Sequence, residues 1–473
     1  MYRNLKVLFW RANRYGPIRR INMLIITIIS RITVILLKIH PAVKDVYLRG
    51  SFGQQYFIPF YSDLDFLIVL KIRPQDEFRS LKSAISYLIE VKRRNPFWIW
   101  YHTAMVLDEE LAVLKKLWYL YDTHPWRPAG RKKTASDNGF ADIKLKLLLA
   151  SLWFRQVTWY KKLMYDLVSV DSDSYLFYPK LRKIKSIAER LAYFIQFPRE
   201  EINLEEYVGW QENLSPKDIR DNFNPHALDG LRLKLAADTL FLTEKSARLL
   251  LNRYPQSEKP EFIEAPTETE TDPDVVGLFE NLALPHTQMI FSGYRGIYIV
   301  LKENVVREEV DKILKIISLS AQRNKYTFYL YTLQMHTLSL MPWPVKYIYR
   351  SKDSNLGLPV FFLKEHHIFE LFHHIFHLQF CFWYRDWQDR LYNLFWNFLK
   401  IRLALEKSYL CRSRRAITRC CLENSFLFKD YNQIFWRVLE SESAVPREVN
   451  AEQIFNINLN LSRDILRFLK DEP

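Results

Sequence analysis

The sequence predicts an α+β fold in which a mixed sheet and a set of helices occur twice. Short β-branched and aromatic runs bounded by polar residues predict strands, and longer segments with apolar residues three or four positions apart predict helices. Glycine is scarce, at 11 of 473 residues, against a usual frequency of about 7%. Four of these glycines form two GxxG turns, at 50–53 and 293–296, and each turn follows an apolar run.

The same scarcity narrows the range of functions. The chain contains neither GxxxxGK[ST] nor GxGxxG, and these are the patterns with which glycine-rich loops bind nucleotide phosphates. P-loop and Rossmann-type chemistry are therefore not expected.

The first predicted element is the apolar segment 21–37, in which Arg31 is the one charged residue. We expect a largely buried helix that leads into the strand after Pro41, because the segment is slightly short for a membrane span and has an arginine near its middle. Basic and aromatic residues alternate before it, so a weak contact of residues 1–40 with an anionic membrane surface is a second expectation.

Strands and a helix follow in a fixed order. An apolar run ends in the turn at 50–53, a strand is predicted at 62–71, a helix at 76–92 and a third strand at 97–107.

A glycine and three polar residues stand in the turn after the first strand and at the start of the second. Because side chains alternate along a strand, Asp63 and Asp65 project from the same face. Two neighbouring carboxylates repel each other, and a divalent cation between them removes that conflict. Gly50 lets a backbone amide approach a phosphate closely, and Ser51 adds a hydroxyl and an amide donor.

Together, Gly50, Ser51, Asp63 and Asp65 resemble the signature of the DNA polymerase β-like nucleotidyltransferase superfamily, in particular its bacterial minimal and aminoglycoside-type branch. The resemblance covers about residues 20–125. It implies a nucleotidyltransferase-type mixed sheet with a helical bundle, in which the two aspartates bind Mg²⁺ and the Gly-Ser pair holds the phosphates of a nucleoside triphosphate, in the first place ATP. An acceptor hydroxyl would attack the α-phosphorus, and pyrophosphate would leave.

One feature departs from that family. Its members often carry a third carboxylate on a later strand, whereas the predicted strand 97–107 contains no acid. His102 or Thr103 stands at about that place, and Asp108 follows the strand. The site could use two aspartates alone, recruit an acid from elsewhere, or be weakened. The alternative function is therefore a catalytically inactive nucleotidyltransferase-fold protein that binds or regulates.

Later segments with helical apolar spacing are predicted at 140–167, 179–195 and 234–252. In the resembled family, a helical bundle beside the sheet closes the cleft and supplies basic contacts. Lys180 and Lys183, with Arg182 between them, are the candidates for contacts to the nucleotide.

The second half repeats the order of the first without its acidic loop. The two turns are 243 residues apart and the strands after them 231 apart, and the difference of 12 equals the length of 54–65. A helix at 306–320 and a strand at 327–333 follow. Tyr294 stands where the first half has Ser51, and the aspartate pair is missing, so we expect a degenerate, inert copy.

These patterns divide the chain into five predicted parts: a catalytic nucleotidyltransferase domain at 1–125, a helical bundle at 126–254, an acidic linker at 255–275, a degenerate nucleotidyltransferase-like domain at 276–362 and a C-terminal helical domain at 363–473.

Charge and cysteine content suggest partners and compartment. The net charge is +15, but the segment 256–274 has seven acids and one base, which leaves +21 for the rest of the chain. Such a surface favours anionic partners such as nucleoside triphosphates or nucleic acid. Four cysteines without a CxxC pair indicate a reducing compartment, here the cytoplasm. The acceptor stays open among a small hydroxyl compound, a protein and RNA.

Overall fold

The protein is described from a computed structural model. Its described residues are 8–9, 11–13, 15–49, 57–60, 62, 64–71, 77–94, 101–108, 111, 127–128, 143–168, 177–202, 231–254, 262–263, 285–293, 296–323, 327–339, 346–350, 358–359 and 365. They form an α+β fold with seven helices and two mixed sheets, which confirms the predicted class. Most of the predicted linker 255–275 and of the C-terminal domain 363–473 lies outside them.

The first sheet and its helices come from the N-terminal part of the chain. In chain order these elements are α1 (Gly16–Lys38), β1 (Val43–Arg49), β2 (Leu64–Leu70), α2 (Glu77–Arg93), β3 (Tyr101–Leu107) and the two-residue β4 (Arg127–Pro128). The strand order is β3-β2-β1-β4. β1 runs antiparallel to β2 and β4, whereas β2 and β3 are parallel because α2 returns the chain between them.

β2 is the buried centre of this sheet. Leu64, Phe66, Ile68 and Leu70 are at most 1% exposed and share one core cluster with residues of α1 and α2. The alternate residues of β2 therefore belong to the opposite face, away from the α1–α2 layer.

Three long helices follow, close to their predicted bounds: α3 (Leu145–Val168), α4 (Phe177–Ile195) and α5 (Arg232–Arg253). A short pair of strands, β5 (Ile143–Lys144) and β6 (Glu201–Ile202), joins the start of α3 to the chain after α4.

The second sheet comes from the C-terminal half. After β7 (Phe262–Ile263), its elements are β8 (Thr287–Gly293), β9 (Gly296–Leu301), α6 (Arg307–Arg323), β10 (Phe328–Tyr331), α7 (Leu333–Leu338) and β11 (Lys346–Arg350), and β12 (Leu358–Pro359) pairs with β7. The order is β10-β9-β8-β11, and the strand directions repeat those of the first sheet. The helix α7 and the strand β11 were not anticipated from the sequence.

The two hairpins also share an irregularity. A bulge separates Val43 from Asp45 in β1, and a bulge separates Thr287 from Met289 in β8. Just beyond each bulge, Lys71 N donates to Ala42 O and Lys302 N donates to His286 O, both at 2.8 Å.

When the two bulges are matched, the residue offset between the halves can be read from the strand register. The register places β8 244 residues after β1 and β9 231 residues after β2. The first offset differs by one from the 243 that the GxxG turns give. Matched by register, Tyr294 therefore corresponds to Gly50 rather than to Ser51, and the second hairpin is 13 residues shorter.

The helices α3 and α5 pack on elements of the C-terminal half, although they precede these elements in the chain: α3 packs on β10, and α5 packs on α6 and α7. The indole Nε1 of Trp153 donates to Leu338 O at 3.0 Å. On α3 as well, the hydroxyl of Tyr160 donates to Leu330 O. From α5, Asp238 forms an ion pair with Arg307 at 2.6 Å. α4 completes this helical layer by packing on α3 and α5.

The expectation that α1 is largely buried is wrong. Seven of its 23 residues are buried: Asn22, Ile26, Ile29, Ser30, Thr33, Val34 and Leu37. The opposite side of the helix exposes large apolar side chains. The sequence showed an apolar segment, but packing against β1 and α2 covers one side of it only. α1 does lead into the first strand, as expected.

By length and composition, α1 is also the one helix among the described residues that could cross a membrane. A core helix of a soluble protein or a signal sequence near an N-terminus passes the same test, so this property by itself assigns no location.

Candidate functional site

Asp65 lies at the edge of the first sheet where three strands meet. It is the second residue of β2, it is half-buried, and it pairs in register with Arg49 on β1 and His102 on β3. Leu64 and Phe66 on either side of it face the α1–α2 layer. The carboxylate of Asp65 therefore belongs to the other face of the sheet.

Three of the predicted site residues, Gly50, Ser51 and Asp63, lie outside the described residues. Arg49, the register partner of Asp65, immediately precedes Gly50 in the chain. The pairing of β1 with β2 thus puts Asp65 beside the residue that precedes the Gly-Ser pair in the sequence.

The parallel pairing of β2 with β3 identifies the residue beside Asp65. His102 occupies that register position, and Thr103 pairs with Phe66 one step further along. Of these two residues, His102 is therefore the one whose register position is beside Asp65.

Asp108 cannot serve as the third acid. Its two carboxylate oxygens each accept a hydrogen bond from the ammonium of Lys44 at 2.6 Å. It follows the last residue of β3, Leu107, which pairs with Leu70 at the far end of β2. Six strand positions separate it from His102, or about 20 Å.

The donor chemistry at Asp65 suits a hard cation. Carboxylate oxygens are the ligands that Mg²⁺ prefers in proteins. Among the residues that the structure describes, no group of three acidic, histidine or cysteine side chains could hold a metal ion. Of the two predicted metal ligands, the structure describes Asp65 only.

The second sheet has a glycine where the first has Asp65. By the register offset of 231, Gly296 corresponds to Asp65. Gly296 has φ +148°, and a Cβ there would lie 2.2 Å from the carbonyl oxygen of Thr327. Ile297 N donates to the same oxygen at 2.9 Å. The second hairpin therefore lacks the carboxylate and also lacks space for one.

The predicted basic residues Lys180 and Lys183 belong to a cluster between α3 and α4. The ammonium of Lys183 lies 3.8 Å from the centre of the Trp159 ring, and that of Lys162 lies 4.6 Å from it. Lys180 forms a short ion pair with Asp166. Three ammonium groups around one indole and one carboxylate give this surface an excess of positive charge.

Burial disfavours the charged form of Lys180. Desolvation, reinforced by the positive charge of Lys162, lowers the pKa of Lys180 from 10.5 to about 8. Near neutral pH Lys180 is therefore still charged. An anion close to Lys180 would offset the repulsion between Lys180 and Lys162.

The structure separates the predicted residues between two layers. Asp65 belongs to the first sheet, whereas Lys180 and Lys183 belong to the helical layer that packs on the second sheet. The sequence pattern identified Lys183 but not its aromatic neighbour Trp159. Trp159 and Lys162 stand three positions apart in the chain, a spacing that puts both on one face of a helix.

A further basic side chain of α3 reaches the second sheet. The ammonium of Lys161 lies between 5.3 and 5.7 Å from the ring centres of Tyr298, Tyr329 and Tyr331. This contact stabilises the packing of α3 on β9 and β10 by cation–π attraction.

No known protein family, curated protein or solved structure significantly matches this chain. Any function must therefore be inferred from the residues and the geometry given above.

Proposed function

We propose that this protein is a Mg²⁺-dependent nucleotidyltransferase that transfers the nucleoside monophosphate of a triphosphate such as ATP to an acceptor hydroxyl. The observation that carries the proposal is the register of the first hairpin. Asp65, the second aspartate of the Asp-Leu-Asp motif, pairs with the residue that precedes Gly50.

The roles of the residues follow from their chemistry. Asp63 and Asp65 would hold Mg²⁺, which when bound neutralises phosphate charge and stabilises the attacking and leaving oxygens. Backbone amides at Gly50 and Ser51, with the Ser51 hydroxyl, would bind the outer phosphates. The acceptor oxygen would form a bond to the α-phosphorus as the bond to the β-phosphate oxygen breaks, and pyrophosphate would leave.

The proton of the acceptor hydroxyl needs a base. His102 is the candidate, because its backbone stands beside Asp65 in the register and a histidine ordinarily titrates near neutral pH.

We further propose that the second sheet is a degenerate copy of the first. Equal strand order, equal strand directions and a bulge at the matching place support a tandem duplication. In this proposal the first sheet carries the reaction, and the second supports the helical layer that presents Lys180 and Lys183.

The direct test is pyrophosphate release from ATP and Mg²⁺ by the full chain, with small hydroxyl compounds, protein and RNA as acceptors. Asp65→Asn should lower the rate roughly 100-fold or more, because metal and phosphate stabilisation is lost. Asp108→Asn is the matched control, since it changes the same residue type at the far end of β3, and it should leave the rate unchanged. Equal rates for Asp65→Asn and wild type would refute the site.

The second candidate function is a nucleotidyltransferase-fold protein that binds nucleotide without turnover. The absence of an acid from the sequence of β3 favours it. Calorimetry distinguishes the two proposals. Mg²⁺-dependent ATP binding that Asp65→Asn abolishes, without pyrophosphate release with any of these acceptors, would support binding alone.

A further inference from the structure

A row of isoleucines covers the exposed side of α1 and its end. Their positions alternate in steps of three and four, and we call this row the isoleucine face: Ile18, Ile21, Ile25, Ile28, Ile32, Ile35 and Ile39. Each is between 40% and 64% exposed, and Leu24 and Leu36 beside them are 63% and 42% exposed. The face runs for about 32 Å along the helix. A contiguous apolar surface of this length marks an interaction site.

The other side of the same helix is fixed in the core. Ile26 and Leu37 are fully buried, and they share a cluster with Phe66 of β2 and Ala84 of α2. The helix cannot cross a bilayer without leaving that core. Whatever covers the isoleucine face must therefore approach α1 from the side, along its length.

The charge around the isoleucine face indicates which kind of partner could cover it. No acidic residue occurs before Asp45, whereas the preceding 44 residues contain nine arginines and lysines. Arg20, Arg31 and Lys38 are exposed, and their spacings of 11 and 7 residues bring them to one edge of the isoleucine face. The ammonium of Lys38 also forms an ion pair with Asp45 at 3.3 Å, so Arg20 and Arg31 are the main cations that an anionic partner would meet. A second copy of the helix would bring further cations to this edge and no acid from α1. An anionic surface would neutralise the row.

We propose that α1 is a membrane-surface anchor that lies in the interface of an anionic lipid bilayer. The isoleucine face would enter the boundary between headgroups and acyl chains, and the row of cations would meet the anionic headgroups. The domain would stay on the surface, because the buried side of α1 remains in the core. This inference is independent of the proposed nucleotidyl transfer.

The test is flotation of the full chain with lipid vesicles. Vesicles of phosphatidylcholine with about 30% phosphatidylglycerol should carry the protein upward, and pure phosphatidylcholine should carry far less. Raising the salt to about 0.5 M should weaken the binding, because it screens the cations. Equal binding to neutral and anionic vesicles, or no binding to either, would overturn the proposal.

Paired variants separate the two contributions. Ile28→Gln with Ile32→Gln should lower the affinity for anionic vesicles by about tenfold or more. Arg20→Gln and Arg31→Gln should each lower it roughly fivefold. Val306→Gln with Leu319→Gln is the matched control, because these side chains are 55% and 57% exposed elsewhere on the protein. It should leave the affinity unchanged.

Sedimentation of the same variants tests the main competitor. A wild-type dimer that Ile28→Gln with Ile32→Gln dissociates, together with no vesicle binding, would replace the membrane by a second copy of the chain. Circular dichroism of each variant establishes that its fold is intact, which is expected because the substituted side chains are exposed.

Discussion

Gly296 occupies in the second hairpin the place that Asp65 occupies in the first. The two residues differ in more than charge. Gly296 lies under the carbonyl of Thr327 with a positive φ, so both the backbone conformation and the space exclude a side chain. At this position the second hairpin has no room for the carboxylate on which the proposed chemistry of the first depends.

We predict that Gly296→Ala destabilises the protein by more than about 1 kcal/mol, because the new Cβ would force β9 away from Thr327. Urea unfolding measures the change. Gly16→Ala is the matched control, since a Cβ at Gly16 would meet nothing within 4 Å. Equal stability of the two variants would contradict the close approach at Gly296.

Because of Lys180, the free energy of unfolding should change with pH in the alkaline range. Its pKa is about 8 in the folded protein because of burial and the charge of Lys162, against 10.5 for an unperturbed lysine. Between these pH values the unfolded chain binds more protons than the folded one. The free energy of unfolding should therefore rise with pH, by up to about 3 kcal/mol from this group.

Lys180→Met should remove that rise, as measured by urea unfolding at several pH values from 7.5 upward. Lys185→Met is the control, because Lys185 lies on the same helix with a side chain that is 52% exposed. It should keep the wild-type slope. Parallel pH curves for Lys180→Met and wild type would show that the charge is not buried as described.

At the scale of elements, one buried hydroxyl of α3 has its hydrogen-bond partner in the second sheet. The hydroxyl of Tyr160 is buried, donates to Leu330 O in β10, and has a pKa raised by desolvation. Tyr160→Phe leaves that carbonyl without its side-chain donor. We expect it to cost about 1 to 2 kcal/mol of stability in urea unfolding.

Tyr165→Phe provides the comparison on the same helix. Its side chain is 52% exposed, so losing the hydroxyl should change the stability by less than about 0.5 kcal/mol. If both variants were equally stable, the docking of α3 on β10 would not involve the hydroxyl of Tyr160.

α1 shows how far an apolar pattern predicts an element. Its sequence correctly predicts a helix that leads into β1, because the spacing of apolar residues is a local property. The same sequence is apolar on both sides, so it does not tell which side packs on the sheet. The buried side is set by Ile26, Ile29 and Leu37, and the isoleucine face is left exposed.

At the scale of the molecule, the two sheets have equal strand order, and the helical layer of α3, α4 and α5 packs on elements of the C-terminal half. α3 and α5 lie between the sheets in the chain; α3 packs on β10 of the second sheet, and α5 packs on the helices α6 and α7. Under the proposed function, the first sheet provides the aspartates, and the second supports the helices that present Lys180 and Lys183.

Part of the candidate site was predictable from sequence. Period-two alternation placed Asp65 near the start of a buried strand, and the structure has it there. The sequence also offered Asp108, which follows β3, as an acid that the site could use. Only the parallel register of β3 with β2 excludes it, because strand direction depends on a crossover that no local pattern encodes.

By itself, the sequence determined the α+β class, the order of the main strands and helices, and the similarity of the two halves. These properties follow from the spacing of apolar residues and from turns, which act within a few residues. The tertiary structure alone decided the one-residue difference in hairpin offset, the sheet on which α3 and α5 pack, the place of Lys180 beside Asp166, and the exposed face of α1. Each of these depends on contacts between residues distant in the chain, where the shape and charge of the partner surface select one packing from several that the same apolar pattern allows.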